Sequence, residues 1–425
     1  MLWVSFFILW KRKTIMKYWN WINRYRRCFF HILLGIQIVF SYGLIYEYIP
    51  DSLTVSRGNE IQLDQTLPIQ TEIYDSESTV TSLSAIVPQA KNLSYHMDCK
   101  FLGVIPLKTV EVQIVESRSV IPGGNPVGIY IRMKGVLVVD LTSFQDPSGN
   151  LQDPCKHILK KGDYIQAVNG KQVNTKEDLV EMVQACAGEE LSLELVRNEE
   201  RITCVVQPKQ NESGVYQLGA WVRDDMAGIG TLTYIDADGN YGALGHSISD
   251  VEVQSPVLLD SGMIYRTQIV HIIKGKKGNP GELVGTIRYQ QDQLLGSVTQ
   301  NTENGIFGTI SQMPEELSDA QSFPIGYKQD IEDKSAWILL YEDGVQTRYR
   351  IEIQHVDMNC DEKNKSILFQ VTDEALLEKT GGIVQGLSGA PILQHGKWIG
   401  AVTHVLVNDP SSGYGILAED MINNN

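Results

Sequence analysis

The sequence predicts a mainly β protein tethered by one N-terminal membrane helix, with a small β-rich module ahead of a larger all-β domain. Three observations carry that expectation. A single long apolar run lies near the N-terminus, directly after a basic cluster. From about residue 101 onward, short runs of alternating or β-branched residues follow one another, separated by Gly, Asn and Asp turns. Strongly apolar helical patterns are scarce in that region, which leaves strands to build the cores.

The apolar run is Phe29 to Tyr46, 18 residues without a Lys, Arg, Asp or Glu. That is long enough to cross a bilayer, and the flanking Trp19, Trp21, Tyr25 and Tyr48 suit its two interfaces. Residues 1–46 hold Lys11, Arg12, Lys13, Lys17, Arg24, Arg26 and Arg27 and no acid, so the N-terminal side is expected in the cytoplasm and the body outside it. All-round apolarity, the flanking aromatics and the one-sided charge together favour a span over a buried core helix, and no small-x-small cleavage site precedes Pro50, which argues against a signal peptide. Leu2 to Trp10 is too short to span, and Met16 is a second candidate start. The remainder carries 51 acidic against 29 basic residues, a balance unsuited to phosphate contacts, so no nucleic-acid partner is expected.

At 425 residues the chain suggests about two or three domains. The expected division is a basic segment and anchor over 1–48, a stalk of limited order over 49–100, a β-rich module over 101–209 and a last domain over 215–425. Six cysteines (28, 99, 155, 186, 204, 360) form no CxxC pair, and with Cys28 at the membrane edge the other five cannot pair completely, so no disulfide framework is expected.

The module opens with an alternating strand at 110–115, a loop of turn formers from Ile121 to Pro126, a strand at 127–131 and a buried-strand run at 136–139. Lys161 to Val173 reads as strand, Asn169-Gly170 turn and short strand; Thr175 can cap a helix burying Leu179, Met182 and Val183. Strands at 191–196 and 202–206 close the unit. This order, with Gly162-Asp163-Tyr164-Ile165 and the glycine-rich loop before Val127, resembles a PDZ domain. The resemblance implies that Gly123 and Gly124 offer backbone N–H groups to a peptide carboxylate, and that Val127, Gly128 and Ile129 pair with the peptide as an added strand. A segment of the same chain is an alternative occupant of that groove.

The last domain shows strands at 283–288, 336–341, 348–354 and 367–371, one short helix at 373–379 and glycine turns throughout, the pattern of a sandwich or double barrel. Near its end runs Gly386-Leu387-Ser388-Gly389-Ala390-Pro391, followed by a hairpin. Glycines on both sides let the backbone turn sharply, expose the Ser388 hydroxyl and aim the N–H groups of Gly386 and Ser388 at one point, where an oxyanion would form. A simple turn would use the same residues. A serine nucleophile needs a histidine base. His31 lies in the membrane run, His96 in the stalk and His157 in the module; His271 and His355 lie in strands and His395 in a hairpin turn. His404, on the second strand of that hairpin, is the second choice. His246, in Gly242-Ala243-Leu244-Gly245-His246-Ser247, sits where glycines allow close approach and is the first. Asp373 is the preferred acid, with Asp260, Asp357 and Asp361 as alternatives, although Asp373 is equally placed to cap the helix after it. Only 37 residues follow Ser388, too few for the acid and histidine of an α/β-hydrolase; the order His, Asp, Ser is that of the chymotrypsin-like template.

The anchor, the PDZ-like module, Gly-Ala-Leu-Gly-His opening the last domain and Gly-Leu-Ser-Gly-Ala-Pro closing it resemble the sporulation signalling serine peptidases of the stage IV B type. The likeness implies a chymotrypsin-like double β-barrel peptidase domain with His246 as base, Asp373 as orienting acid and Ser388 as nucleophile. It also implies self-cleavage, location on the forespore membrane facing the space between forespore and mother cell, and cleavage there of a regulator of an intramembrane metalloprotease that leads to activation of a late sigma factor. One departure is that Asp373 lies 127 residues after His246 and only 15 before Ser388, whereas trypsin-like enzymes place the acid nearer the histidine. The competing reading is a PDZ-bearing scaffold with an inactive protease-like domain. No HExxH or close His/Asp set occurs, so a zinc hydrolase is weakly supported and no cofactor is expected.

Overall fold

The computed structural model describes residues 25–26, 29–57, 67–75, 78–80 and 94–422. The candidate start Met16, the basic residues before Arg26, Arg27, Cys28, Trp19 and Trp21 lie outside them. The chain forms two compact units, Met1–Glu116 and Ser117–Asn425.

In the first unit, helix α1 (Phe29–Tyr48) is 20 residues long with mean hydropathy 1.7 over its most apolar window. Its large side chains face outward, Phe29 being 67% exposed, as a lipid-facing helix requires. After it come β1 (Ser52–Ser56), β2 (Ile69–Asp75), β3 (Ser78–Val80), β4 (Ser94–Phe101) and β5 (Ile105–Val115), which form one sheet in the order β1-β5-β4-β2-β3. The expected stalk is therefore corrected over its described part: the alternation in Ser94–Phe101 buries Tyr95, Met97, Cys99 and Phe101 against Leu53, Val55, Val110 and Val112. Residues 101–115 are corrected too, because β5 pairs with β1 and β4 and belongs to this sheet rather than to the PDZ-like module.

The second unit begins with β6 (Ser119–Pro122) and β7 (Pro126–Leu141). The sequence suggests two strands here, but β7 is one strand of 16 residues that serves two cores. Its second half carries the PDZ-like module: β8 (Tyr164–Val168), helix α2 (Lys176–Ala185), β9 (Leu191–Arg197) and β10 (Glu200–Val206), in sheet order β10-β9-β8-β7. Asn169 and Gly170 both take positive φ in the tight turn, and Thr175 with Asp178 closes a capping box on α2. Asp163, fully buried, is paired at both oxygens by Arg197, each contact 2.7 Å, so its charge is compensated inside the module. The module's core runs from Val136 to Leu218 and includes Leu179 and Val183.

The first half of β7 closes a six-stranded barrel with β11 (Ala220–Ile235), β12 (Asn240–Ala243), β13 (Leu259–Ile273), β15 (Leu294–Thr302) and β16 (Gly305–Ile310). The order is β7-β13-β15-β16-β12-β11, and β11 returns to β7; β14 (Glu282–Ile287) flanks β13. Val127, Ile129, Leu232, Ile264 and Ile306 fill its interior. The expected start of the last domain at residue 215 is thus corrected. Its first strand lies upstream of the PDZ-like module, which is nested between two neighbouring barrel strands.

A second closed barrel is built from β17 (Ser335–Glu342), β18 (Val345–Val356), β19 (Ile367–Val371), β20 (Pro391–Gln394), β21 (Lys397–Leu406) and β22 (Asp409–Leu417), in the order β17-β18-β19-β22-β21-β20. Helix α3 (Glu374–Thr380) follows β19, and α4 (Ala418–Ile422) ends the described chain. Ile338, Ile351, Phe369, Ile392 and Val402 make the core.

The peptide-loop expectation is also corrected. The N–H groups of Gly123 and Gly124 donate to Thr233 O and Leu232 O at 2.9 and 2.8 Å, so none is left for a carboxylate. Val127, Gly128 and Ile129 pair with Gly230, Ile229 and Gly228 on one side and with Arg266, Tyr265 and Ile264 on the other. A strand paired on both edges cannot accept a third. The occupant beside β7 is a segment of the same chain, β11.

Candidate active site

His246 and Ser388 line one cleft of about 580 Å³. His246 follows β12 through Leu244 and Gly245, both at positive φ. Ser388 precedes β20 in a turn locked at several points. Leu387 N donates to Val384 O, Gly389 N to Val402 O, and Thr231 N to Ser388 O. Gly389 has φ +96, and a Cβ there would lie 2.1 Å from Thr231 O, so only glycine fits. Thr231 Oγ1 donates to Gly386 O at 2.7 Å and turns that carbonyl away. The N–H groups of Gly386 and Ser388 have no backbone acceptor among the described residues. Two unspent donors beside a half-buried serine hydroxyl are the elements of an oxyanion hole.

The His246 ring is oriented by its own main chain. Nδ1 lies 2.8 Å from Ser247 O, and a carbonyl oxygen only accepts, so Nδ1 carries the proton and Nε2 is the bare, basic nitrogen. Burial lowers the imidazole pKa, against a smaller upward pull from Ser247, and this keeps the ring neutral. His404, on β21, faces it with ring centroids 5.1 Å apart at 38°. Burial first, then the neighbouring His246 and Lys365, bring His404 down to about 4, and its Nδ1 is buried without a hydrogen-bond partner. The hydroxyl of Ser388 donates to Thr403 O at 2.7 Å. Among the described residues, no Asp, Glu, Lys or Arg lines the cleft.

Asp373 is elsewhere. Oδ1 accepts from Ala375 N and Leu376 N at 3.0 and 3.3 Å, and Oδ2 from Arg350 N at 3.2 Å, so it caps α3 and ties it to β18. The expectation that it orients His246 is corrected: both oxygens are committed to backbone donors, and it does not line the cleft. Asp260, Asp357 and Asp361 do not line it either, nor do His157, His271, His355 and His395. Sequence reasoning missed Thr231, which shapes the serine turn across 155 residues, and Asn301, whose contacts with the His246 loop span 53. Neither carries a local signal.

Residues 214–422 match the family model of the SpoIVB peptidase S55. This part of the chain belongs to that family. The S55 region is a serine peptidase, and its first barrel borrows β7 from upstream of the matched residues. Solved structures similar to the chain include the PDZ domain of an SdrC-like protein from Listeria monocytogenes, at 15% identity over 21% of this chain and 87% of that one, TM-score 0.18. The Rv3671c protease from M. tuberculosis in its active form is 11% identical over 47% of this chain and 72% of that one, TM-score 0.27. The HtrA-type protease AlgW with decapeptide is 12% identical over 47% and 52%, TM-score 0.25. No curated protein matches the chain.

Proposed function

We propose that this protein is a membrane-anchored serine endopeptidase that uses Ser388 as nucleophile and His246 as base, without Asp373. The observation that carries the reading is the cleft that joins a neutral, Nε2-bare His246 to Ser388 and to the two free N–H groups of Gly386 and Ser388. With substrate bound, the Ser388 hydroxyl turns from Thr403 O to His246 Nε2, gives up its proton and attacks the scissile carbonyl carbon. The resulting oxyanion sits on the N–H groups of Gly386 and Ser388, an interaction worth about 10²–10³ in rate per donor. His246, now imidazolium, protonates the leaving amine as the C–N bond breaks. A water then enters, loses its proton to His246 and attacks the acyl carbon; as the ester C–O bond breaks, His246 returns the proton to Ser388 Oγ and the free enzyme is restored. Through the process Ser247 O holds the Nδ1 proton, the part an acid plays in the usual triad.

By analogy with the family, the body acts outside the cytoplasmic membrane, on the forespore membrane facing the intermembrane space. Its substrates there are itself and a regulator of an intramembrane metalloprotease, and the outcome is activation of a late sigma factor. The apolar helix α1 is compatible with such an anchor. One observation favours a second reading, an inactive protease-like scaffold: Ser388 donates to Thr403 O rather than to His246. A fluorophosphonate probe separates the two. The peptidase reading expects covalent labelling and self-processing in the purified protein, both lost in Ser388→Ala without a change in the melting curve. Absence of labelling in the wild type, or processing that survives Ser388→Ala, would favour the scaffold.

A further inference from the structure

The base of this site is held by a carbonyl, and what holds the carbonyl decides how well the base is placed. Ser247 C=O and Ile248 N–H belong to one peptide group, which is planar and rigid. The carbonyl side accepts the Nδ1 proton of His246 at 2.8 Å. The N–H side donates to Asn301 Oδ1 at 2.8 Å. We propose that Asn301, at the end of β15, is the positioning residue for the base, acting on His246 through the peptide that links Ser247 to Ile248.

The carboxamide is fixed in the one orientation this requires. Its Nδ2 donates to Ile248 O at 2.9 Å and to Val257 O at 3.1 Å, so the oxygen, and not the nitrogen, faces the Ile248 N–H. Val257 N also donates to Ile248 O at 3.0 Å, closing the loop on itself. Beyond it, Asp250 pairs with Arg223 and accepts from Glu252 N and Val253 N. Asp250 thus anchors the far part of the loop independently, while Asn301 holds the peptide in contact with His246 together with the Ile248 and Val257 carbonyls. An acceptor on the N–H side also polarises that peptide and makes Ser247 O a better partner for an imidazolium, in the way linked hydrogen bonds strengthen one another. Asn301 touches neither the reacting atoms nor the serine; its role is to orient.

This inference rests on the peptidase reading, and the experiment keeps the two apart. The second-order rate of fluorophosphonate labelling is measured for the wild type, Ser388→Ala, Asn301→Ala and Asn301→Asp, with melting curves for each. Asn301→Ala is expected to label about tenfold to a hundredfold more slowly, the cost of a misplaced base. Asn301→Asp keeps an acceptor for Ile248 N–H and gives up the donor bonds to Ile248 O and Val257 O, so it is expected to label faster than Asn301→Ala. A residue that merely fastened the loop through Nδ2 would give the reverse order, because Asp sets a second acceptor against two carbonyls. Equal rates in Asn301→Ala and wild type, or Asn301→Asp slower than Asn301→Ala, would overturn the inference. If Asn301→Ala does not fold, Asn301→Asp is compared with the wild type, and a loss of about a hundredfold or more overturns it. A wild type that does not label removes the peptidase reading instead.

Discussion

Asp373 shows how one residue can satisfy two local patterns and serve one of them. Its position after a strand and before an amphipathic turn suits both a catalytic acid and an N-cap, and the structure uses it as the cap, with Ala375 N and Leu376 N on one oxygen. Asp373→Ala is therefore expected to cost about 0.5–2 kcal/mol of stability, seen as a lower melting temperature, while the labelling rate of the folded protein stays near that of the wild type. A catalytic acid would show the opposite, a loss of about 10⁴ in rate at unchanged stability. The two histidines give a pH prediction of definite sign. Both have folded-state pKa values below the ordinary 6.5, His404 at about 4 and His246 in the same direction. The unfolded chain takes up protons first as pH falls, so their contribution is complete above about pH 6.5 and is lost between there and about pH 4. Melting temperatures across that range should fall, and less steeply in His404→Gln. If His246 is the base proposed above, it works in its neutral form, and the acid limb of labelling should lie below pH 6.5.

Elements defined by their own residues were legible in the sequence, and elements defined by distant partners were not. The Asn169-Gly170 turn, the Thr175 cap and the hairpin after Ser388 each depend on neighbours a few residues away, and each lies where the pattern placed it. The Gly123-Gly124 loop carries the local chemistry of an anion cradle, yet its donors are spent on Thr233 and Leu232, more than a hundred residues along the chain. In the same way β7 read as two strands because an alternating pattern does not reveal that its halves pack in different cores. Asn301 left no trace, since its partners are Ile248 and Val257 and its neighbours are ordinary turn formers. The serine turn is the element most exposed to steric test. Gly389→Ala would force a Cβ to 2.1 Å from Thr231 O and 2.6 Å from Leu244 N, which links the nucleophile turn to the strand leading to His246. Labelling should be lost in that variant, with a smaller change in the far-ultraviolet circular dichroism of the barrels.

At the scale of the molecule, the nested module is the feature that sequence order concealed. β7 and β11 run as one ribbon from the barrel into the PDZ-like sheet, with Arg132 opposite Asp225 inside the barrel and Leu137 opposite Arg223 beyond it. Replacing residues 134–222 by a tight Asn-Gly turn between Met133 and Arg223, which keeps the Arg223 partner of Asp250, should therefore leave the barrel closed and the serine labelled. Loss of folding in that variant would mean that the module supports the barrel as well as extending from it. The same ribbon occupies the edge a peptide would use, so a C-terminal peptide should not saturate the module in isothermal titration while β11 is in place.

The central claim is that Ser388 is an activated nucleophile whose base, His246, is held by the main chain and not by Asp373. Fluorophosphonate labelling of the wild type, Ser388→Ala, His246→Ala and Asp373→Ala tests it most directly. Labelling is expected in the wild type and in Asp373→Ala at comparable rates, and none in Ser388→Ala or His246→Ala. Labelling abolished by Asp373→Ala in a folded protein, or undiminished in His246→Ala, would contradict it.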